Sequence, residues 1–383
     1  MRTRLLLAAT AFFCLGRPVF AQHALIKPGD VVAGKTLTAA SDIAVSDTGR
    51  LVFRGAFEEA GKPQAGLFDY DLSTKAASLI ASTETPFDGF ALTDVGQPSL
   101  SSTGKLVWRG GLDQGAVIFG DSGPLVKTGD PIGGGKVAVD PYEPLINDAG
   151  KTAFFDSNTG YLLPATAFVS FPFTLNGSGV GAPVPNSATF IDFLEFVAFV
   201  DSERGAIIGM IPSSGDRAFL VDIDNSVGIP LRVERTYAIS RQEGVGYAYL
   251  ADLHNDITQI TLRTALANDL VLATEKDLLD DGTRFGTMTE VAYTKARDVY
   301  VASEGRIIKV PEPGGAALSV LAALCAVASC ARRHTRHAIG NANQPMASGL
   351  PHGSAENEPG TSAAVQVCCR AARILRVRKP QGA

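Results

Sequence analysis

The chain has 383 residues, 45% of them hydrophobic and 19% charged, with 40 glycines and 21 prolines. That apolar content excludes disorder throughout and supplies a sizeable core for a loop-rich protein. Between Gln22 and Pro313, 37 Asp and Glu stand against 23 Lys and Arg, an excess of 14 negative charges; nucleic acid is therefore excluded as the natural partner.

In chain order, the first element is a basic start, "MRTR", followed by the apolar run Leu5–Leu15 and then "GRPVFAQ", which puts Val19 and Ala21 at the small-residue positions of a cleavage site. This pattern predicts a secretory signal peptide over residues 1–21, cut after Ala21. Lipidation at Cys14 is not expected, because Phe12 and Phe13 stand where a lipid-attachment motif needs a small residue. Export normally permits disulfides. All five cysteines (Cys14, Cys325, Cys330, Cys368 and Cys369) nevertheless fall outside 22–310. The exported body is expected to hold together by packing and strand pairing alone.

The body repeats itself. "VSDTGRLVF" (45–53), "LSSTGKLVW" (100–108) and "INDAGKTAF" (146–154) align without gaps, with Gly49, Gly104 and Gly150 in register, and "VDSERGAII" near Gly205 fits loosely. A short polar residue that bonds its own backbone, a glycine that accepts positive φ and an alternating strand afterwards describe a hairpin turn. Gly49, Gly104, Asn147 and Gly150 are thus read as structural turn residues. Second strand pairs are expected at 65–80, 116–130, 218–233, 248–263 and 298–310, where apolar and polar residues alternate. Two hairpins per unit of about 50 residues is the size of a propeller blade. The expected fold is all-β: tandem four-stranded repeats forming a propeller-like ring of five or six blades.

"LIKPGDVVAGK" (25–35) echoes "LVKTGDPIGGGK" (125–136), so the mature chain begins within a unit. Such an offset lets an N-terminal strand complete the last blade. The final "RIIKV" already reads as an outer strand, which leaves closure open. These stretches resemble the tandem NxxGxxAF repeat of bacterial proteins with interchangeable C-terminal anchors. "NDAGKTAF" matches at Asn147, Gly150, Ala153 and Phe154, and the resemblance extends over about residues 25–210.

No catalytic set and no metal or cofactor site is identified. Only His23 and His254 fall in the mature body, too few for a histidine-based metal site or triad. "GDPIGGGK" (129–136) lacks the first glycine and the final Ser/Thr of a phosphate loop and is read as a turn. "DIDNSVG" (222–228) and "DLLDDG" (277–282) place carboxylates closely without the calcium-loop spacing, and Asp69 and Asp71 in "FDYD" follow from strand alternation. The Gly, Pro and Ser-rich stretch 171–190 is read as an elaborated loop, where binding residues tend to lie.

After the body comes "VPEPGG", then 18 uncharged residues from Gly314 to Ala331, then Arg332, Arg333 and Arg336. As a helix, 18 residues cover roughly 27 Å, near the hydrocarbon thickness of about 30 Å, and the arginines would remain cytoplasmic. This arrangement resembles the PEP-CTERM sorting signal of Gram-negative bacteria (here 311–337, span 314–331). The resemblance implies processing by an exosortase at Pro311, Glu312 and Pro313, with Arg332 and Arg333 as the basic flank, and delivery to the envelope, surface or matrix. Residues 338–383 form a low-complexity tail or a reading-frame artefact at the gene's end. The sequence thus points to an exported, non-enzymatic protein of adhesion or biofilm matrix, partnered by an extracellular polysaccharide or matrix protein; a propeller-scaffold hydrolase or lyase is the alternative.

Overall fold

The computed structural model describes residues 22–310, apart from 164–165, 191–193, 201–203, 211–216, 222–232, 243–245, 254–256, 265–268 and 297. The signal peptide with Ala21, the motif Pro311-Glu312-Pro313, Arg332, Arg333, the span 314–331, the tail, His254 and the 222–228 carboxylates lie outside the described residues. Among the described residues every regular element is a strand, and no helix is long and apolar enough to cross a membrane.

The described strands form six antiparallel sheets. Blade 1 comprises β2 (Val31–Val32), β3 (Lys35–Val45), β4 (Arg50–Glu59), β5 (Lys62–Asp71) and β6 (Ala77–Ser82). Blade 2 holds β7 (Asp94–Leu100), β8 (Leu106–Gly111), β9 (Ala116–Gly120) and β10 (Gly123–Lys127). Blade 3 follows with β11 (Pro141–Ile146), β12 (Thr152–Asp156), β13 (Thr159–Leu162) and β14 (Thr166–Ser170). Blade 4 contains β15 (Phe173–Leu175), β16 (Ser178–Phe190), β17 (Leu194–Val200), β18 (Arg204–Met210) and β19 (Arg217–Val221). Blade 5 is β20 (Val233–Gln242), β21 (Gly246–Leu253), β22 (Thr258–Thr264) and β23 (Asp269–Thr274). Blade 6, the last sheet, joins β24 (Met288–Tyr293), β25 (Val299–Ser303) and β26 (Arg306–Val310) to β1 (His23–Ile26).

The innermost strands touch in cyclic order, β3 to β7, β11, β16, β20, β24 and back to β3. The ring is therefore a closed propeller of six sheets. Closure is made by β1, which pairs antiparallel with β26 through His23↔Lys309 and Ala24↔Ile308. "RIIKV" is thus the third strand of its blade rather than the outermost, which resolves the ambiguity the sequence left at this edge.

Alternation explains how a strand is buried on both faces of its sheet. In β4, Val52 packs toward blade 2 with Trp108 and Phe119, while Leu51 and Phe53 pack toward blade 6 with Tyr300 and Ile307. The same split places Phe154 against blade 2 and Ala153 and Phe155 against blade 4. The repeat's aromatic residue always stacks on its cross-strand partner: Phe53 on Phe68 (5.4 Å), Trp108 on Phe119 (4.4 Å) and Phe154 on Tyr161 (5.4 Å). Such pairs add about 0.5–1.5 kcal/mol beyond their buried area. At Gly55 a Cβ would lie 2.6 Å from the Phe68 ring, so this strand position admits only glycine beside the stack.

Three sequence expectations are corrected. Residues 218–233 do not form a hairpin: β19 is the edge of blade 4 and β20 the innermost strand of blade 5, because an outer strand leads into the next blade's centre. The loose copy at Gly205 is out of phase, for Gly205 pairs with Phe199 in the second hairpin of its blade. Residues 171–190 are not a loop but largely β15 and β16, with β16 lining the centre; their Gly and Pro content hid a strand whose register is interrupted twice.

Ile26, 1% exposed, ties the closing strand into the blade 6–blade 1 core. Ile26→Ala is expected to cost about 2–5 kcal/mol, measurable as a lowered denaturant midpoint.

Candidate functional site

The candidate site is the centre of the ring, where the innermost strands converge on a cavity of about 130 Å³ lined by Asp42, Gln97, Glu143, Thr189, Glu290 and Lys295, among others. Its chemistry originates in a repeated backbone irregularity. The inner strands carry register breaks between Ser41 and Ile43, Gly96 and Ser99, Tyr142 and Leu145, and Met288 and Glu290. Asp42, Gln97 and Glu143 sit at three of them with φ of 48°, 48° and 47°. Each lies seven residues before its turn glycine. A bulge leaves backbone groups outside the ladder, and buried N–H groups must find acceptors elsewhere.

Side chains from the neighbouring blade supply them. Glu290 Oε2 of blade 6 accepts from Ile43 N of blade 1 at 2.7 Å, and Asp42 Oδ2 accepts from Gln97 N of blade 2 at 3.3 Å. Gln97 Oε1 accepts from Glu143 N of blade 3 at 3.0 Å, while Glu143 Oε1 accepts from both Ser187 N and Ala188 N of blade 4 at 2.7 Å. The bulge residue of one blade thus secures the bulge of the next. Glu143 and Glu290 are 3% and 7% exposed, so these bonds lie in a shielded setting where a backbone N–H left without an acceptor would cost about 1–3 kcal/mol.

A second set of bonds joins the turns. Ser46, Ser101, Asn147 and Thr294 occupy the same turn position, and their side-chain oxygens accept from the N–H four residues on, at 3.2, 3.0, 2.8 and 3.1 Å. Gly49, Gly104 and Gly150 follow at φ of 84°, 87° and 81°; a Cβ at Gly49 would meet nothing, so backbone conformation alone demands glycine there. The residue after each cap reaches across blades. Asp148 accepts from Ser102 N and Oγ, both at 2.6 Å, and Asp47 accepts from Lys295 N at 2.7 Å.

The remaining sequence candidates are held in local structure. Asp69 pairs with Arg50 at 2.9 Å, and Asp71 accepts from Ser73 Oγ and N and from Thr74 N, bonds that bring its carboxyl from the ordinary 3.8 down to about 2. "GDPIGGGK" is a tight connector in which Ile132 N donates to Lys136 O, and it leads into strand β11 instead of a helix. In "DLLDDG", Asp277 accepts from Thr274 N, Asp280 meets His23 Nδ1 at 2.6 Å and Asp281 accepts from Thr283. Tyr142 is pushed up to about 12 by burial and then by Glu143, Asp156 and Asp140, so its phenol stays protonated and donates to Ser157 O. Among the described residues, no group of three or more His, Cys, Asp or Glu side chains is placed to hold a metal ion.

Sequence reasoning missed the bulge residues. The available signal was a polar residue at a fixed offset of seven before each turn glycine. It also missed a third connector, since Asp277 repeats the roles of Asp30 and Asp130, each accepting from the N–H three residues earlier.

No family model and no curated protein matches this chain. Similar solved structures include a streptogramin B lyase (11% identity, 76% of this chain and 96% of that one, TM-score 0.40). YCF48 from Cyanidioschyzon merolae is similar at 11% identity over 76% and 97% of the two chains, TM-score 0.37. The WD40 β-propeller domain of Doa1 is similar at 9% identity over 76% and 98%, TM-score 0.37. At these scores the likenesses bring no activity to this chain.

Removing the acceptor in Glu143→Ala is expected to destabilise the ring by about 2–5 kcal/mol, whereas Glu143→Gln, which keeps an oxygen for the two N–H groups, loses much less; equilibrium denaturation separates the two. The Asp71 carboxyl is depressed on folding, so its contribution is present above about pH 4 and lost as pH falls toward 2. Asp71→Asn should shift the acid-unfolding profile only in that window.

Proposed function

We propose that this is an exported protein of a Gram-negative-type bacterium, sorted to the cell envelope, surface or extracellular matrix, where its ring is a non-enzymatic scaffold for adhesion or biofilm matrix. Its address is read at both ends: the signal peptide cut after Ala21, and the Pro311-Glu312-Pro313 motif with the membrane-spanning helix 314–331 and the flank of Arg332 and Arg333. An exosortase-type enzyme is the processing partner. A polysaccharide or matrix protein is the partner of the ring, and no cofactor is invoked.

The observation that supports a non-enzymatic ring is the use made of its central acids. Asp42, Glu143 and Glu290 each direct a carboxylate oxygen to a backbone N–H of the next blade, so the acids that dominate the cavity act as architecture. Loops on such a rigid frame are the natural place for binding. The alternative, a propeller-scaffold hydrolase or lyase, is favoured by one feature: the same three carboxylates gather in one cavity.

Intact-mass analysis of the exported protein tests the sorting. Loss of everything beyond the Pro-Glu-Pro region is expected; an intact C-terminus overturns it. The same material, screened against glycans and matrix polymers, should bind without turning them over. Turnover that disappears in Glu290→Gln while the fold survives would establish the hydrolase or lyase instead.

A further inference from the structure

The closing strand begins at an unusual residue. Gln22 is 8% exposed, its side-chain Oε1 is buried with no hydrogen-bond partner among the described residues, and its carbonyl accepts from Asp280 N at 3.0 Å. The next residue, His23, starts the β1–β26 ladder opposite Lys309 and engages Asp280 through its side chain. Gln22 is therefore packed into the seam that closes the ring. On the export reading above, on which this inference rests, cleavage after Ala21 places a new α-amine on this residue. An α-amine of ordinary pKa near 8 would be an ammonium at neutral pH, and charge is disfavoured where a residue is buried. The Asp280 carboxylate close by already holds His23.

We infer that Gln22 is a modification site: after signal-peptide removal it cyclises to pyroglutamate, and the mature ring closes on a neutral lactam. An N-terminal glutamine carries its own electrophile at five-membered-ring distance. The α-nitrogen lone pair attacks Cδ, the N–Cδ bond forms, the Cδ–Nε2 bond breaks, and Nε2 leaves as ammonia with the proton given up by the attacking amine. Nothing is oxidised or reduced, and no co-reactant is required. Burial favours the neutral amine, which is the attacking form. The product keeps its Oε1 carbonyl and loses the positive charge, so the closing strand enters the seam uncharged.

The test is the N-terminus of the exported protein, with amines chemically labelled before digestion so that cyclisation during handling is not counted. The expected N-terminal peptide begins at Gln22, is about 17 Da lighter than the open form and carries no label on its α-amine. A peptide beginning at Gln22 with a labelled amine overturns the cyclisation and leaves the export reading standing. A peptide beginning elsewhere, or an uncut leader, overturns the cleavage after Ala21 and the modification with it. A Gln22→Ala protein cut at the same bond must instead carry the label. Its thermal midpoint should fall by a few degrees relative to the natural protein, as expected when a charged terminus is placed in the closing seam.

Discussion

A propeller brings strands from different sheets together at its centre without letting them pair. Those strands converge edge-on to the axis, so the backbone groups freed at their bulges have no ladder to join. In this protein the deficit is met by side chains handed from blade to blade: Glu290 to Ile43, Asp42 to Gln97, Gln97 to Glu143, and Glu143 to Ser187 and Ala188. The positive φ at Asp42, Gln97 and Glu143 carries a local cost of about 1–2 kcal/mol each, which the bonds it permits offset. The turn residues add a second tie, since Asp47 and Asp148 bond neighbouring blades.

Around this centre the apolar packing lies between the blades. Among the described residues, separate apolar clusters fill the gaps between blades 1 and 2, 2 and 3, 3 and 4, 5 and 6, and 6 and 1. Without cysteines between residues 22 and 310, nothing covalent holds the ring shut. The strand β1 against β26 and the packing of Ile26 beneath it fasten the last sheet, and the bonds of Glu290 to Ile43 and of Asp47 to Lys295 join that sheet to blade 1. Gln22, immediately before β1, packs at this seam, its carbonyl accepting from Asp280 N.

This use of polar residues shapes the functional reading. A cavity with three carboxyl groups invites an acid and base mechanism, yet each of them also accepts from a backbone N–H of the neighbouring blade. His23 lies away from the cavity on β1, the outermost strand of its sheet, 68% exposed and paired with Asp280, and Tyr142 is held neutral by burial. The bonds that these interior acids make serve the cohesion of the ring.

The hairpin turns, the four-stranded unit and the all-β class were legible in the chain because they are local. A capping oxygen at Ser46, Ser101 or Asn147, a glycine with positive φ and an alternating strand act within ten residues of one another. Blade phase was less legible: the Gly205 hairpin imitates the motif one strand out of step, and the glycines and prolines of 171–190 conceal an inner strand. The amino-acid sequence by itself determined the repeat and its alternating faces, which depend on backbone preference and side-chain period. Only the tertiary structure decided that six sheets close, that β1 is the closing strand, and that Asp42, Gln97, Glu143 and Glu290 bind neighbouring blades. Those partners are 44 to 247 residues apart, and a polar residue in an alternating strand looks the same whether it faces water or a neighbour's N–H.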